Sequence, residues 1–279
     1  MKLYKKGSTV LIEHEGKWFS RENVDWDALV NKKNLFASVL EEMKSAKSIA
    51  APDLSKPFDA PIQNQEIWAA GVTYFRSKEA RMEESKDAGG GTFYDKVYSA
   101  ERPELFFKAL AHRTSGHMGD INIRKDSNWN VPEPELTLFI SSVGTIEGYT
   151  VGDDMSSRSI EGENPLYLPQ AKSYDKSAAL GPCLYVPGYP IPLESTIQLQ
   201  IARKGDILFN GNIAISQMKR KHDELVEFLF RECDFPFGCY LMTGTGIVPP
   251  DHFTLEVDDV VSISIEGIGT LTNIVKTKS

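Results

Sequence analysis

The sequence predicts a β-rich α+β fold with few helices. From residue 103 onward the chain reads mostly as short strands separated by turns. Helical patterns are scarce and do not alternate strictly with strands, which argues against a βαβ series. With 279 residues, 41% hydrophobic and 25% charged, the chain can form one large globular domain or one domain with a small companion.

The first fifty residues carry a short strand pattern from Thr9 to Glu13, a turn at Glu15-Gly16 and a helical stretch from Asp25 to about Lys47. The run "APDLSKPFDAPIQNQE" that follows is rich in proline and polar residues and reads as a linker. The expected division is a small N-terminal domain over residues 1–62 and a larger domain over residues 63–279. "IWAAGVTY" opens the larger part as a buried strand, and "FRSKEARMEESKDA" follows as a charged helix ending at Gly89-Gly90-Gly91. These glycines lack the Gly-Lys-Ser/Thr ending of a phosphate loop and read as a hinge or a helix C-cap. The helix fits a solvent-facing connector or a mobile lid.

"PELFFKAL" is an apolar segment. Residues 121–160 hold a strand, a turn at Val143-Gly144, a returning strand and a helix-like start at Met155. Further strands are expected from Ile197 to Arg203, Ile207 to Asn210 and Val260 to Ile265. A helix is expected from Ser216 to Arg231, with Leu225, Phe228 and Leu229 on one side.

The formal net charge is -8 and no basic stripe stands out, so nucleic acid is not an expected partner. No apolar run is long enough for a membrane span, and the first residues lack the apolar core of a signal peptide. Cys183, Cys233 and Cys239 are scattered, odd in number and not spaced as a zinc site, which fits a reducing compartment. Cytoplasmic residence is the expectation.

The stretch "NVPEPELTLFI" (residues 130–140) carries the chemistry. Leu136, Leu138 and Ile140 alternate with Thr137, Phe139 and Ser141, a strand pattern. Glu133 and Glu135 then share one strand face, about 7 Å apart along the chain. Pro134 donates no ladder hydrogen bond, so this end belongs at an edge, a bulge or the first residues of a strand. Two like charges there fit either a solvated strand end or a pair of metal ligands. The segment "GYTVGDDMSSRS" returns a hairpin's length later and offers Asp153 or Asp154 as a third carboxylate. An all-oxygen anionic site of this kind suits Mg2+, with Mn2+ as the alternative. One of the two aspartates can instead cap a helix.

Four motifs in order, "VPEPEL", "GYTVGDDMSSR", "LMTGTGIVP" and "IEGIGTLTN", resemble the fumarylacetoacetate hydrolase superfamily over roughly residue 65 to the C-terminus. The stretches "GVTY", "YDKVYSAERPELFFKA", "ENPLYLPQAK" and "GPCLYV" look like one branch of it, the 2-keto-3-deoxy-D-arabinonate dehydratases. The resemblance implies a mixed β-roll catalytic domain, a small N-terminal α/β domain and a homodimer. It makes Glu133, Glu135 and Asp154 the metal ligands and leaves Asp153 beside them. It makes Glu104 a catalytic carboxylate, Lys172 a lysine at the substrate and Thr245 the residue at the substrate's carboxylate end. Tyr74 and Arg76 fall where the family lines its pocket. Each has a plainer reading: Glu104 as a cap, Lys172 as a solvated lysine, Thr245 as a turn residue. Arg158 reads as a structural partner of a carboxylate, and the pair His112 and His117 lacks acidic partners at metal spacing.

A 2-keto-3-deoxy sugar acid is a small-molecule substrate that suits these residue types. Its carboxylate and keto oxygen can chelate Mg2+, which makes the C3 protons acidic. A base removes a C3 proton and an acid protonates the leaving C4 hydroxyl. Lys172 can be the base if burial and the cation lower its pKa, and Glu104 the acid, or the roles can be exchanged. The product would be a 2,5-dioxo acid. The rival reaction is C–C hydrolysis of an acylpyruvate, for which family hydrolases use a lid histidine with a glutamate. No histidine lies between Tyr74 and Lys108, although Glu79, Glu83 and Glu84 are present. A non-catalytic binding module on the same fold is the third alternative.

Overall fold

A computed structural model describes residues 1–84 and 91–278. Gly89 and Gly90 of the expected hinge lie outside the described residues. Two sheets pack face to face. The larger runs in the order Lys47–Ile49, Lys17–Arg21, Thr9–His14, Lys2–Lys6, Ala178–Tyr185, Ile146–Asp154, Pro134–Ile140, Cys239–Met242, Glu66–Gly71, Glu104–Leu110. Thr114–Ser115 joins it in parallel beside Ala178–Tyr185. Cys239–Met242 runs parallel to Glu66–Gly71, so the sheet is mixed. The second sheet has five strands, in the order Asp206–Ala214, Thr196–Arg203, Val260–Ile265, Gly269–Thr277, Asp120–Ile123. The β-rich expectation holds.

Strand alternation explains the packing. Leu136, Leu138 and Ile140 face Ile197, Leu199, Ile263 and Leu271 of the second sheet in one core. Phe139 points to the opposite face, into a core shared with Trp26, Leu35, Val39 and Tyr240. Every residue of Pro134–Ile140 is therefore buried. Residues 1–62 cover that second face and extend the large sheet through the pairing of Lys2–Lys6 with Ala178–Tyr185.

Three helical expectations change. The stretch from Asp25 to Lys47 divides into helices Trp26–Val30 and Leu35–Met43, followed by strand Lys47–Ile49. Asn34 sits between the helices at φ 57, a left-handed turn that asparagine tolerates and a continuous helix does not. The helix expected at Met155 begins at Arg158 instead, because Ser156 and Ser157 pair with Val131 and Asn130. The helix expected from Ser216 is a single 3-10 turn, Ile215–Gln217, followed by His222–Phe230. The linker-like run is tied down: Phe58 bridges His117, Asp59 bridges Lys5, and Phe58, Ala60 and Ile62 are buried. No described helix is long and apolar enough to cross a membrane.

Candidate metal and acid–base site

Pro134 is the first residue of its strand, where its missing N–H costs no ladder bond. The ladder to Cys239–Met242 starts only at Thr137, so the stretch before it is open on one side. The chain after Met242 turns into that opening. Gly244, at φ +95, brings its N–H 2.6 Å from Glu135 Oε2. A Cβ on Gly244 would lie 2.0 Å from Thr73 Oγ1, so this approach requires glycine. On the other side Pro134 pairs with Asp153 and Glu135 with Gly152. The Asp154 N–H donates to Glu133 O at 3.0 Å, and the Glu133 N–H donates to Asp153 Oδ1 at 3.2 Å.

This register separates the two aspartates. One carboxylate oxygen each from Glu133, Glu135 and Asp154 lies within 4.8 Å of the others, all three residues buried. Asp153 points the other way and braces the Glu133 backbone. Burial pushes the Asp153 carboxyl up to about 8 despite the nearby Lys108 ammonium. Burial, then the charges of Asp154 and Glu133, push Glu135 well above the ordinary carboxylate range. For Asp154, burial works upward too, but the ammoniums of Lys108 and Lys172 outweigh it and hold the group low. Close, dry, like-charged oxygens are a donor set that a hard divalent cation would relieve, so the residues fit Mg2+ or Mn2+.

Lys172 ends the helix Leu168–Lys172 and is fully buried rather than a solvated surface lysine. Its Nζ donates to Glu133 Oε2 at 2.7 Å, Asp154 Oδ2 at 3.0 Å and Ser156 Oγ at 2.6 Å. Three acceptors match the three N–H bonds of an ammonium. Arg158 Nη2 lies 3.2 Å from Glu133 Oε1, the structural pairing expected for it. Thr245 lines the same small pocket, with its hydroxyl exchanging hydrogen bonds with the Ile247 backbone. Gly71, Ser77 and Phe106 complete the walls, and the space inside, about 10 Å³, admits about one water.

Glu104 starts the strand Glu104–Leu110 directly opposite Gly71. A Cβ on Gly71 would stand 2.0 Å from Glu104 Oε2, so the carboxylate lies over the glycine at the pocket wall. Tyr74 and Arg76 line an adjoining cavity of about 440 Å³ with Phe209, Asn212, Gln217 and Ile247. Burial, then the charge on Glu135, push the Tyr74 hydroxyl upward, so that buried group stands near the carboxylates. Arg76 is exposed, with its guanidinium 3.5 Å from Val248 O. A larger cavity of about 1070 Å³ lies elsewhere, between Phe36, Glu147, Tyr189 and helix His222–Phe230.

Sequence reasoning passed over Lys108. Its side chain is fully buried and its Nζ stands 2.5 Å from Asp154 Oδ1. The signal was a lysine inside the apolar strand segment "ELFFKAL", where an unpaired charge would be costly.

A family model described as Fumarylacetoacetate (FAA) hydrolase C-terminal matches residues 67–276. The probable 2-keto-3-deoxyxylonate dehydratase of Haloferax volcanii is 48% identical over 218 residues, 78% of this chain and 74% of that protein. The 2-dehydro-3-deoxy-D-arabinonate dehydratase of Saccharolobus solfataricus is 43% identical over 225 residues, 80% of this chain and 74% of that protein. A solved structure described as 2-keto-3-deoxy-D-arabinonate dehydratase complexed with magnesium and 2,5-dioxopentanoate superposes with TM-score 0.83 and 33% identity. That superposition covers 100% of this chain and 99% of that one.

Proposed function

This chain belongs to the fumarylacetoacetate hydrolase family, and from that premise we propose that it is a hydro-lyase dehydrating a 2-keto-3-deoxy sugar acid. The substrate is of the 2-keto-3-deoxy-D-arabinonate type, the product is a 2,5-dioxo acid, and the setting is sugar-acid catabolism. The observation that carries the reading is the convergence of buried Glu133, Glu135 and Asp154 on one pocket with Lys172 and Thr245. Support comes from relatives named as dehydratases and from the magnesium and 2,5-dioxopentanoate in the solved neighbour's description.

Glu133, Glu135 and Asp154 would hold Mg2+, with Mn2+ as a substitute. Bound there, the ion supplies Lewis acidity beside the carboxylate and keto group of the substrate. Thr245 receives the carboxylate end, while Tyr74 and Arg76 flank the outer end from the adjoining cavity. Lys172 already directs its three N–H bonds at acceptors, so it acts as a proton donor or as a holder of developing negative charge. Glu104 then takes the C3 proton, and a proton delivered to the C4 hydroxyl lets it leave as water. Tautomerisation completes the 2,5-dioxo acid. The pocket must widen to admit a five-carbon acid, and Ser77 of helix Phe75–Glu84 is part of the wall that would move.

The reading extends to a cytoplasmic homodimer, with residues 1–62 a small domain beside the catalytic unit 63–279. Ile207 and Leu208, 61% and 46% exposed on the edge strand Asp206–Ala214, support a second copy as partner. Light scattering on the purified protein tests the dimer.

The test of function is an NMR time course with 2-keto-3-deoxy-D-arabinonate and Mg2+, with and without chelator. Metal-dependent appearance of 2,5-dioxopentanoate is expected. Metal-dependent cleavage of an acylpyruvate instead would move the protein to the hydrolases. Neither turnover nor metal stabilisation would leave a binding module.

A further inference from the structure

Lys108 is buried where no substrate reaches it, yet it touches both halves of the candidate site. Its Nζ lies 2.5 Å from Asp154 Oδ1, a charge contact rather than an aligned hydrogen bond. The same Nζ donates to Met155 O at 2.9 Å and to Lys172 O at 2.5 Å. One ammonium thus ties the strand Glu104–Leu110 to the end of strand Ile146–Asp154 and to the last turn of helix Leu168–Lys172. Asp154 spends one carboxylate oxygen on each lysine: Oδ1 on Lys108 and Oδ2 on Lys172. The ring of Tyr174 closes the site, its centroid 6.0 Å from the Lys108 nitrogen.

The two carbonyls matter as much as the carboxylate. Lys172 O belongs to the final turn of a five-residue helix, where carbonyls lack intrahelical partners. Binding that carbonyl fixes the helix end and, with it, the direction of the Lys172 side chain. Met155 O follows directly on Asp154, so the second bond fixes the backbone that carries the carboxylate.

We propose that Lys108 is a positioning residue that sets Asp154 for metal binding and Lys172 for the substrate through one buried ammonium. The inference rests on the metal-site reading given above. Two effects oppose each other when Lys108 is removed. Losing a positive charge near the site favours a cation, whereas losing the brace leaves Asp154 free to turn. Partners that orient metal ligands typically contribute about 10–100-fold to metal affinity or activity, so the loss of orientation should dominate.

Calorimetric titration of substrate-free protein with Mg2+ tests this without relying on turnover. Wild type should bind Mg2+, and Lys108→Met should bind it about 10–100-fold more weakly while keeping a native near-ultraviolet spectrum. At saturating Mg2+ the variant should lose kcat more than it raises KM, because Lys172 is mispositioned. Unchanged or tighter Mg2+ binding in the variant would overturn the inference while leaving the metal site intact. Absence of Mg2+ binding in wild type would instead sink the site reading. If Lys108→Met does not fold, the titration is made on Lys108→Gln, whose amide keeps donors for the carbonyls. If neither folds, Lys108 serves the fold alone and the proposal falls.

Discussion

Two ion networks built on buried carboxylates look alike in composition and differ in how many of those carboxylates a cation matches. In the second sheet, Arg203 meets Asp259 through Nε to Oδ1 at 2.7 Å and Nη2 to Oδ2 at 2.9 Å. Asp259 Oδ2 also accepts the Glu256 N–H at 2.8 Å, and Arg203 reaches Glu256 and Thr254 O. The fork of one guanidinium satisfies a buried carboxylate and holds a loop to a strand. In the candidate site, Glu133, Glu135 and Asp154, with the Glu104 carboxylate at the pocket wall, stand against Lys108, Lys172 and Arg158, so carboxylates outnumber cations among these residues. Among the described residues Glu135 forms no ion pair; it accepts the Gly244 N–H, and its carboxyl is pushed well above the ordinary carboxylate range. Around Arg203 the one buried carboxylate is matched by one guanidinium and Glu256 is left to solvent, and the network secures the fold. A network with surplus negative charge stores a demand for a cation, and that demand is what marks a site. Size is a poorer guide: the roughly 10 Å³ pocket is lined by the carboxylate cluster, whereas the cavity of about 1070 Å³ lies away from it.

The comparison breaks most visibly at Glu135. Glu135→Gln should lower kcat/KM by about 1000-fold or more, since Lewis-acid stabilisation contributes several kcal/mol. The metal-free variant should melt no lower than wild type, because the substitution removes a like charge from a dry cluster. Steady-state kinetics and thermal melts measure both, and a strongly destabilised metal-free variant would contradict the surplus-charge account. Arg203→Met should do the reverse. It strands the Asp259 carboxylate and should cost roughly 3 kcal/mol in urea unfolding, with kcat of the folded fraction unchanged.

Mg2+ itself separates the two networks. At about 100 times its Kd, Mg2+ should stabilise wild type by about 2.7 kcal/mol. Arg203→Met should gain the same increment, and Glu135→Gln should gain little; melting curves with and without the ion read the difference. The smallest effect is expected at the rim. Gly71→Ala places a methyl group against the Glu104 carboxylate, which can swing aside because it is the end of a flexible side chain. Loss of about tenfold in kcat, or about 1.4 kcal/mol, is expected with stability nearly unchanged. Full activity in Gly71→Ala would remove Glu104 from the chemistry.

Much of this was legible in the residues. Period-2 alternation in "ELTLFI" identified the strand, and Gly144, at φ +77, sits in the expected hairpin turn. The paired glutamates and the following Asp-Asp pointed to a carboxylate cluster. Lys172 read equally well as a surface residue, because nothing local reports that its helix end is roofed over by other segments. Asn34 split a helix that side-chain periodicity alone would have continued, since a left-handed residue interrupts a helix without changing its hydrophobic pattern.

What the sequence determined by itself was the strand-rich class, the strand faces and the presence of three or four acidic groups within one hairpin. These follow from periods of two and from turn chemistry, which act over a few residues. Strand pattern and spacing left Asp153 and Asp154 open and the family resemblance implied Asp154; the tertiary structure brought Asp154 beside Glu133 and Glu135. It also brought Gly244 to Glu135 and buried Lys108 and Lys172 against Asp154. The physical reason is register. A one-residue slip exchanges the two faces of a strand, and the pairings that set register join segments some twenty to more than a hundred residues apart.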